Sequence, residues 1–204
     1  NNNTSYNSIR RHINVLVNHL HNNNFPIGLS RLKTRKQEEV LHSPINNVGE
    51  LLLRIKDFNV NLYLCCLLTY GCLLRPHQEI RLLKWENFSD DLSYINLTGS
   101  KVKSKRNRIV PVPTYIREVL KRRCNQNNIF SNTLQPYNKG YFSLLWRRFK
   151  RFSPYIDKHI TIYSFRHTGA LEIFKRTASI TKLQKAMGHS SIKVSLTYLR
   201  GLEI

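Results

Sequence analysis

The stretch "KAMGHSSIKVSLTYLR", residues 185–200, decides how the rest of the chain is read. The helical run "ITKLQKAM" (180–187) stops at Gly188, the residue that most easily takes the left-handed conformation closing a helix, and Ser190 or Ser191 can cap the next one. His189 is thereby held in a tight turn, and Tyr198 follows nine residues later on a last short helix. This imidazole and phenol close a chain in which 33 Lys and Arg face 12 Asp and Glu, a formal charge of +21.

Such an imbalance bears on partners rather than on fold, and a polyanion is its simplest explanation: nucleic acid first, an anionic membrane surface second. With 204 residues the chain fills one ordinary domain, or one domain and a fragment of another. The apolar run "NLYLCCLLTYGCLL" (61–74) is too short to span a bilayer, and the Asn-rich start lacks the pattern of a signal peptide. A protein without membrane contact is expected, cytoplasmic and nucleoid-associated. Cys65, Cys66, Cys72 and Cys124 contain no CxxC, and the first three read as small core hydrophobes. An opening NNN without Met is expected of a segment cut from something longer.

Helical periodicity predicts one amphipathic helix carrying Tyr6, Ile9, Ile13, Leu16, Val17 and Leu20 behind a Thr4/Ser5 cap. "RLKTRKQEE" (31–39) and "HSPINN" (42–47) predict a basic linker over 29–46. Denser helices are expected at 48–56 and 60–73, then in "RPHQEIRLLKW" with Pro76 at a first helical position. "LSYINLTG" (92–99) and "RIVPVP" (108–113) read as strands joined by the basic hairpin "SKVKSKRN", with more helices at 114–125, 138–152, 164–176 and 179–187. The class is mainly α with a small antiparallel sheet.

Arg75 in "LLRPHQEI" and Arg166 in "YSFRHTGALEIF" both border helix ends rather than solvated faces. Two Arg, a His and a Tyr suit attack of a phenol oxygen on a phosphodiester. Guanidiniums stay charged and match phosphate oxygens as negative charge builds, and His189 can add a hydrogen bond. A phenol of pKa about 10 needs a cationic pocket to become a nucleophile, and the departing oxygen needs a proton, which a hairpin Lys can give.

Each residue alone has an ordinary reading: Tyr198 as a core aromatic, His189 as a turn residue, the two Arg as helix-end residues, the Lys-rich hairpin as a solvated turn or a phosphate contact. His77 reads as exposed. "KRRCNQN" (121–127) and "WRRFKRF" (146–152) suit DNA-backbone contact and amphipathic packing equally. No acidic cluster or Gly-rich phosphate loop is present in the sequence, so neither metal nor nucleotide cofactor is expected.

"TYGCLLRPHQEIRLLKW", "SFRHTGA" and "MGHSSIKVSLTYL" together resemble the first Arg box, the second Arg box and the closing His and Tyr box of the tyrosine recombinases, or phage-type integrases. The steps of 23 residues from Arg166 to His189 and nine to Tyr198 fit that pattern. The resemblance implies a tyrosine-recombinase catalytic fold over 47–204, with 1–28 as the end of a helical core-binding domain. It implies Arg75, Lys103, Arg166, His189 and Tyr198 as catalytic residues, Lys101 and Lys105 being rivals of Lys103, and Lys101, Lys105 and Arg106 as DNA contacts. Tyr163 stands where the family usually has His or Lys. Glu79 lies four residues after Arg75 where three is usual, and it is expected to orient Arg75 from a shifted helix start. His167 is expected as a packed, supporting imidazole. The implied partner is double-stranded DNA, bound as a tetramer on paired sites by a chain that is monomeric without DNA. The alternatives are a type IB topoisomerase-like relaxation activity and a DNA-binding protein with a decayed active site.

Overall fold

Asn59 sets the first corner of the larger unit. It ends helix α2 (Val48–Phe58) and caps α3 (Val60–Gly71) with its side chain, which accepts from the Leu62 amide at 2.9 Å. The computed structural model describes residues 2–30, 32–36, 43–99 and 107–199. Its contacts divide the chain into two units, Asn1–Leu41 and His42–Ile204. In the first, α1 (Asn3–Asn22) is capped by Asn2, not by Thr4 or Ser5, because the Asn2 carboxamide accepts from the Thr4 amide. Asn7 pairs through its side chain with both backbone groups of Arg35, and the Arg35 guanidinium lies 4.0 Å over the Tyr6 ring. Ile9, Ile13 and Leu16 of α1 are exposed.

In the second unit α3 is apolar all round and is accordingly central, with Leu62, Cys65, Cys66 and Leu68 fully buried. Burial pushes the thiols of Cys65 and Cys66 up and that of Cys72 to about 12, so all three stay protonated and pack as small hydrophobes. Around α3 lie β1 (Tyr94–Leu97) paired antiparallel with β2 (Arg108–Pro111), then α4 (Thr114–Arg117), α5 (Tyr141–Phe152), α6 (Ile162–Thr177), α7 (Ile180–Met187) and α8 (Ile192–Leu199). The register sets Leu97 opposite Arg108, and Ile95, Leu97 and Val110 point inward. The mainly helical fold with one small sheet is as expected. No helix among the described residues is long and apolar enough to cross a membrane.

Two local expectations are corrected. Pro76 opens no helix: the Glu79 carboxylate takes the Arg75 amide, and the chain passes through turns into two single-turn 3-10 segments, Ile80–Leu82 and Trp85–Asn87. The helix expected over 114–125 ends at Arg117, since residues beyond it pair across the chain, Asn125 and Asn127 accepting from Glu86 and Trp85. The Arg122 guanidinium there donates to the carbonyls of Trp85, Phe88, Ser89 and Asp90, so it serves packing. In "WRRFKRF", Trp146 and Phe149 are buried while Arg147, Arg148 and Arg151 face out, and Lys150 caps the carbonyls of Asp157, Lys158 and Ile160.

Two hydrophobic cores result. The larger holds α2, α3, the sheet and α5; the smaller joins Leu73, Ala170, Leu171, Leu183, Met187 and Leu199 under α6, α7 and α8. Between them the chain turns sharply: Cys72 and Leu74 face the first core, and Leu73, at φ +51°, faces the second. A left-handed Leu costs about 1–2 kcal/mol, offset here by complete burial. Helix α6 packs on α3 at Gly169, where any Cβ would collide with the Tyr70 carbonyl. Replacing Gly169 by Ala is expected to destabilise by about 1–3 kcal/mol. Thermal unfolding would show this as a Tm fall of roughly 2–12 °C. Gly49→Ala, whose Cβ meets only Asn47 Oδ1 at 4.0 Å, serves as the control. Equal Tm values for the two variants would contradict so close a helix approach.

Candidate active site

The turn after α3, strand β2, helix α6 and the α7–α8 corner converge where the two cores meet. Arg75 leaves the Leu73 turn with its guanidinium against Glu79, Nη1 donating to Oε1 at 2.6 Å while the Arg75 amide donates to Oε2 at 2.9 Å. The i,i+4 spacing that looked one residue too long is thus closed by a turn, not by a shifted helix start. Glu79 is 1% exposed, an acid that could not be buried without such partners. Its second oxygen also accepts from Arg108 Nη2 at 3.3 Å.

Helix α6 begins with a reciprocal Thr161/Ser164 cap and is buried on nearly every side over Ser164–Leu171. Arg166 is therefore in the interior, 1% exposed, with Nη2 donating to the Met187 carbonyl at 3.0 Å. Its Nη1 is buried with no hydrogen-bond partner among the described residues. Burial works against the Arg166 charge, and Tyr198, the largest favourable neighbour, works for it.

Gly188 closes α7 at φ +65°, and Ser191 takes the amide of Lys193 to start α8, as the sequence suggested. His189 between them is pinned at three points: its amide donates to the Gln184 carbonyl, its carbonyl accepts from the Gln184 side chain, and its Nδ1 lies 3.0 Å from Ser195 Oγ on α8. Tyr198, one turn beyond Ser195, has its ring between two imidazoles, 5.6 Å from that of buried His167 and 5.4 Å from that of His189. Partial burial first, then the charges of Arg166, Arg75 and Arg108, push His189 down to about 4, so its imidazole is neutral at pH 7. Burial raises the Tyr163 phenol, against Arg166 and Arg75, and keeps it a protonated donor. Its ring lies 6.1 Å from that of His77, which is half-buried, its Nδ1 fully so, rather than exposed.

Arg75, Arg166, His189, Tyr198, Glu79, Tyr163 and His167 thus come together from segments far apart in sequence. Lys101, Lys103, Lys105 and Arg106 lie outside the described residues. Arg108, which no sequence signal singled out, joins the cluster: its Nη1 donates to the same Met187 carbonyl at 2.7 Å. Asn107, Arg108, Gln184, Lys185, His189 and Ser190 border a cavity of about 410 Å³ beside the His189 turn. Converging guanidiniums, a neutral imidazole and a phenol make a centre for an anion that gains charge during reaction.

The sequence profile of the phage integrase family matches residues 45–203. No curated protein matches the chain in sequence. Among solved structures, the integrase of the Tn1549 transposon, in complex with a circular intermediate DNA, superimposes with a TM-score of 0.62 at 18% identity over 94% of this chain and 73% of that one. The XerA recombinase superimposes with a TM-score of 0.61 at 17% identity, over 78% of this chain and 60% of that one. The catalytic domain of the bacteriophage HP1 integrase gives 0.57 at 22%, over 79% and 88%. The mainly helical architecture with its two-stranded sheet is that of these catalytic domains.

The depressed His189 value has a stability consequence. The unfolded chain takes up a proton near pH 6.5 that the folded site refuses down to about 4, so stability present above 6.5 is lost as pH falls through that window. Thermal unfolding between pH 7 and pH 4 is expected to fall less steeply for His189→Gln than for the wild-type chain; parallel profiles would contradict a neutral, half-buried imidazole.

Proposed function

The chain belongs to the phage integrase family, whose members are site-specific recombinases, and on that premise we propose that it cuts and rejoins duplex DNA through a 3′-phosphotyrosine on Tyr198. The observation that carries this reading is the Tyr198 phenol beside the buried Arg166, whose Nη1 has no partner among the described residues. Tyr198 Oη attacks the scissile phosphorus and passes its proton to solvent water as the P–O bond forms. The bond to the 5′ oxygen breaks, and that oxygen leaves as a hydroxyl after accepting a proton from Lys103. Arg75 and Arg166 take the non-bridging oxygens as charge grows on them. His189, holding Ser195 through Nδ1, donates from its other ring nitrogen, and Tyr163 donates as a neutral phenol where the family usually has His or Lys. His167 and Glu79 hold Tyr198 and Arg75 in place.

The phosphotyrosine conserves the energy of the broken bond, so rejoining draws on the free 5′ hydroxyl of a partner strand and on no external energy source. As in the family, two duplexes held by a tetramer are the proposed setting, with a monomer in the absence of DNA, inside the cell and on the nucleoid. Residues 1–28 are proposed as the end of a core-binding domain, 29–46 as a basic linker to the catalytic domain at 47–204, and Lys101, Lys105 and Arg106 as backbone contacts. The topoisomerase-like and decayed-site alternatives are not favoured by the family assignment.

On nicked suicide duplexes of degenerate sequence, in buffer without metal, the wild-type chain is expected to form a covalent adduct that Tyr198→Phe abolishes on a denaturing gel. Arg166→Ala should slow adduct formation by about 10²–10³-fold. Wild-type binding without any adduct would return the chain to a binding module. Affinity for duplex DNA should also fall with salt, log K by roughly 0.9 per phosphate neutralised for each tenfold rise; a flat response in filter binding would remove the backbone-tracking face.

A further inference from the structure

We infer that Arg108 is a positioning residue of this site: its guanidinium ties the Arg75–Glu79 pair to the Arg166–Met187 contact, making two otherwise separate arginines and the His189 turn one rigid cationic frame. The inference rests on the catalytic reading above and adds a residue to it.

Two acceptors hold three guanidiniums. Glu79 accepts from Arg75 and from Arg108 Nη2, and the Met187 carbonyl accepts from Arg108 Nη1 and Arg166 Nη2. Arg108 is the side chain that reaches both acceptors. It can do so because its planar fork sets two donors at a fixed separation, one per acceptor, which the single ammonium of Lys cannot imitate. The α7–α8 turn closes directly on this stem: a Cβ on Gly188 would collide with Arg108 Nη1 and would meet its Cδ at 2.7 Å. Gly188 is therefore constrained twice, by its φ of +65° and by Arg108 beneath it. At its own end Arg108 opens β2, paired with Leu97 of β1, so the fork is held by a sheet rather than by a loop.

The plainer alternative is a buried ion pair that stabilises the fold and nothing more. It differs in its consequences for His189. That imidazole faces Arg75 from the α3 turn, Arg108 from β2, Arg166 from α6, Lys185 from α7, and Ser195 and Tyr198 from α8. Removing one cation of this set changes the field at His189 as well as the angle at which Arg75 and Arg166 are presented.

The test uses the full chain and three variants, Arg108→Gln, Arg108→Lys and Gly188→Ala, with two readouts: adduct formation on nicked degenerate duplexes, and NMR titration of the His189 ring without DNA. Arg108→Gln is expected to slow adduct formation by about 10- to 100-fold and to move the His189 midpoint upward. Arg108→Lys keeps the charge and hence the low midpoint, yet loses most of the rate because the fork is gone. Gly188→Ala, which displaces the guanidinium, loses rate in the same way. A wild-type rate in Arg108→Lys overturns the inference, as does an unmoved His189 midpoint in folded Arg108→Gln. If Arg108→Gln does not fold, Arg108→Lys decides by its rate. If even the wild-type chain forms no adduct, the recombinase reading fails on its own; an upward midpoint in Arg108→Gln but not in Arg108→Lys then still supports the frame, and equal midpoints in all forms sink it.

Discussion

The Glu79 carboxylate is the interaction on which the rest of the site depends. Three guanidiniums, Arg75, Arg108 and Arg166, approach one another in a nearly dry interior, and each acts electrostatically on its neighbours. Two unit charges about 6 Å apart at an effective dielectric of about 20 interact with roughly 3 kcal/mol, so three unrelieved cations would strain the fold severely. One buried acid, bound to two of them, relieves part of this and leaves two net positive charges. A second acid would halve that surplus and weaken the attraction for an anion, and none at all would leave the cluster too repulsive to fold around. The site is thus tuned to hold excess charge that a phosphate, gaining negative charge in reaction, would neutralise.

Placing that charge requires the fold to depart from regularity at chosen points. Leu73 takes a left-handed conformation so that consecutive residues enter two different cores, and Arg75 emerges from the seam between them. Gly169 lets α6 sit against the Tyr70 carbonyl, which brings Arg166 level with that seam. In each case the strained or side-chain-free position lies beside the site, and at Leu73 the compensation is that side chain's own burial.

The legible part of this protein was the part written in local chemistry. Gly188 as a helix stop, Ser191 as a cap and the ordered Arg75, Arg166, His189 and Tyr198 all carry their signal within a few residues. Arg108 did not, because a guanidinium at a strand start looks like any solvated cation until β2 is placed over the α7–α8 turn. Arg122 suited DNA contact and packing equally in the sequence, and it binds four main-chain carbonyls, since what a basic side chain faces depends on residues over thirty positions away. The segment after Pro76 has helix-forming residues, but its acid is taken by the Arg75 amide and guanidinium and its Arg81 and Leu83 carbonyls by the Asn128 side chain, so these hydrogen bonds outweighed propensity. His77 was read as exposed for the same reason: burial is not a local property.

Ser195 and Tyr198 stand one turn apart on the eight-residue helix α8, which is anchored in the smaller core by Leu199. The hydroxyl that fixes the His189 imidazole and the phenol beside Arg166 are therefore carried by one stretch of backbone. A displacement of α8 as a body withdraws both at once, so the site behaves as a logical conjunction of the two. In the proposed reaction the nucleophile and the imidazole beside it are therefore delivered by one short helix, and what seats α8 on the smaller core seats both.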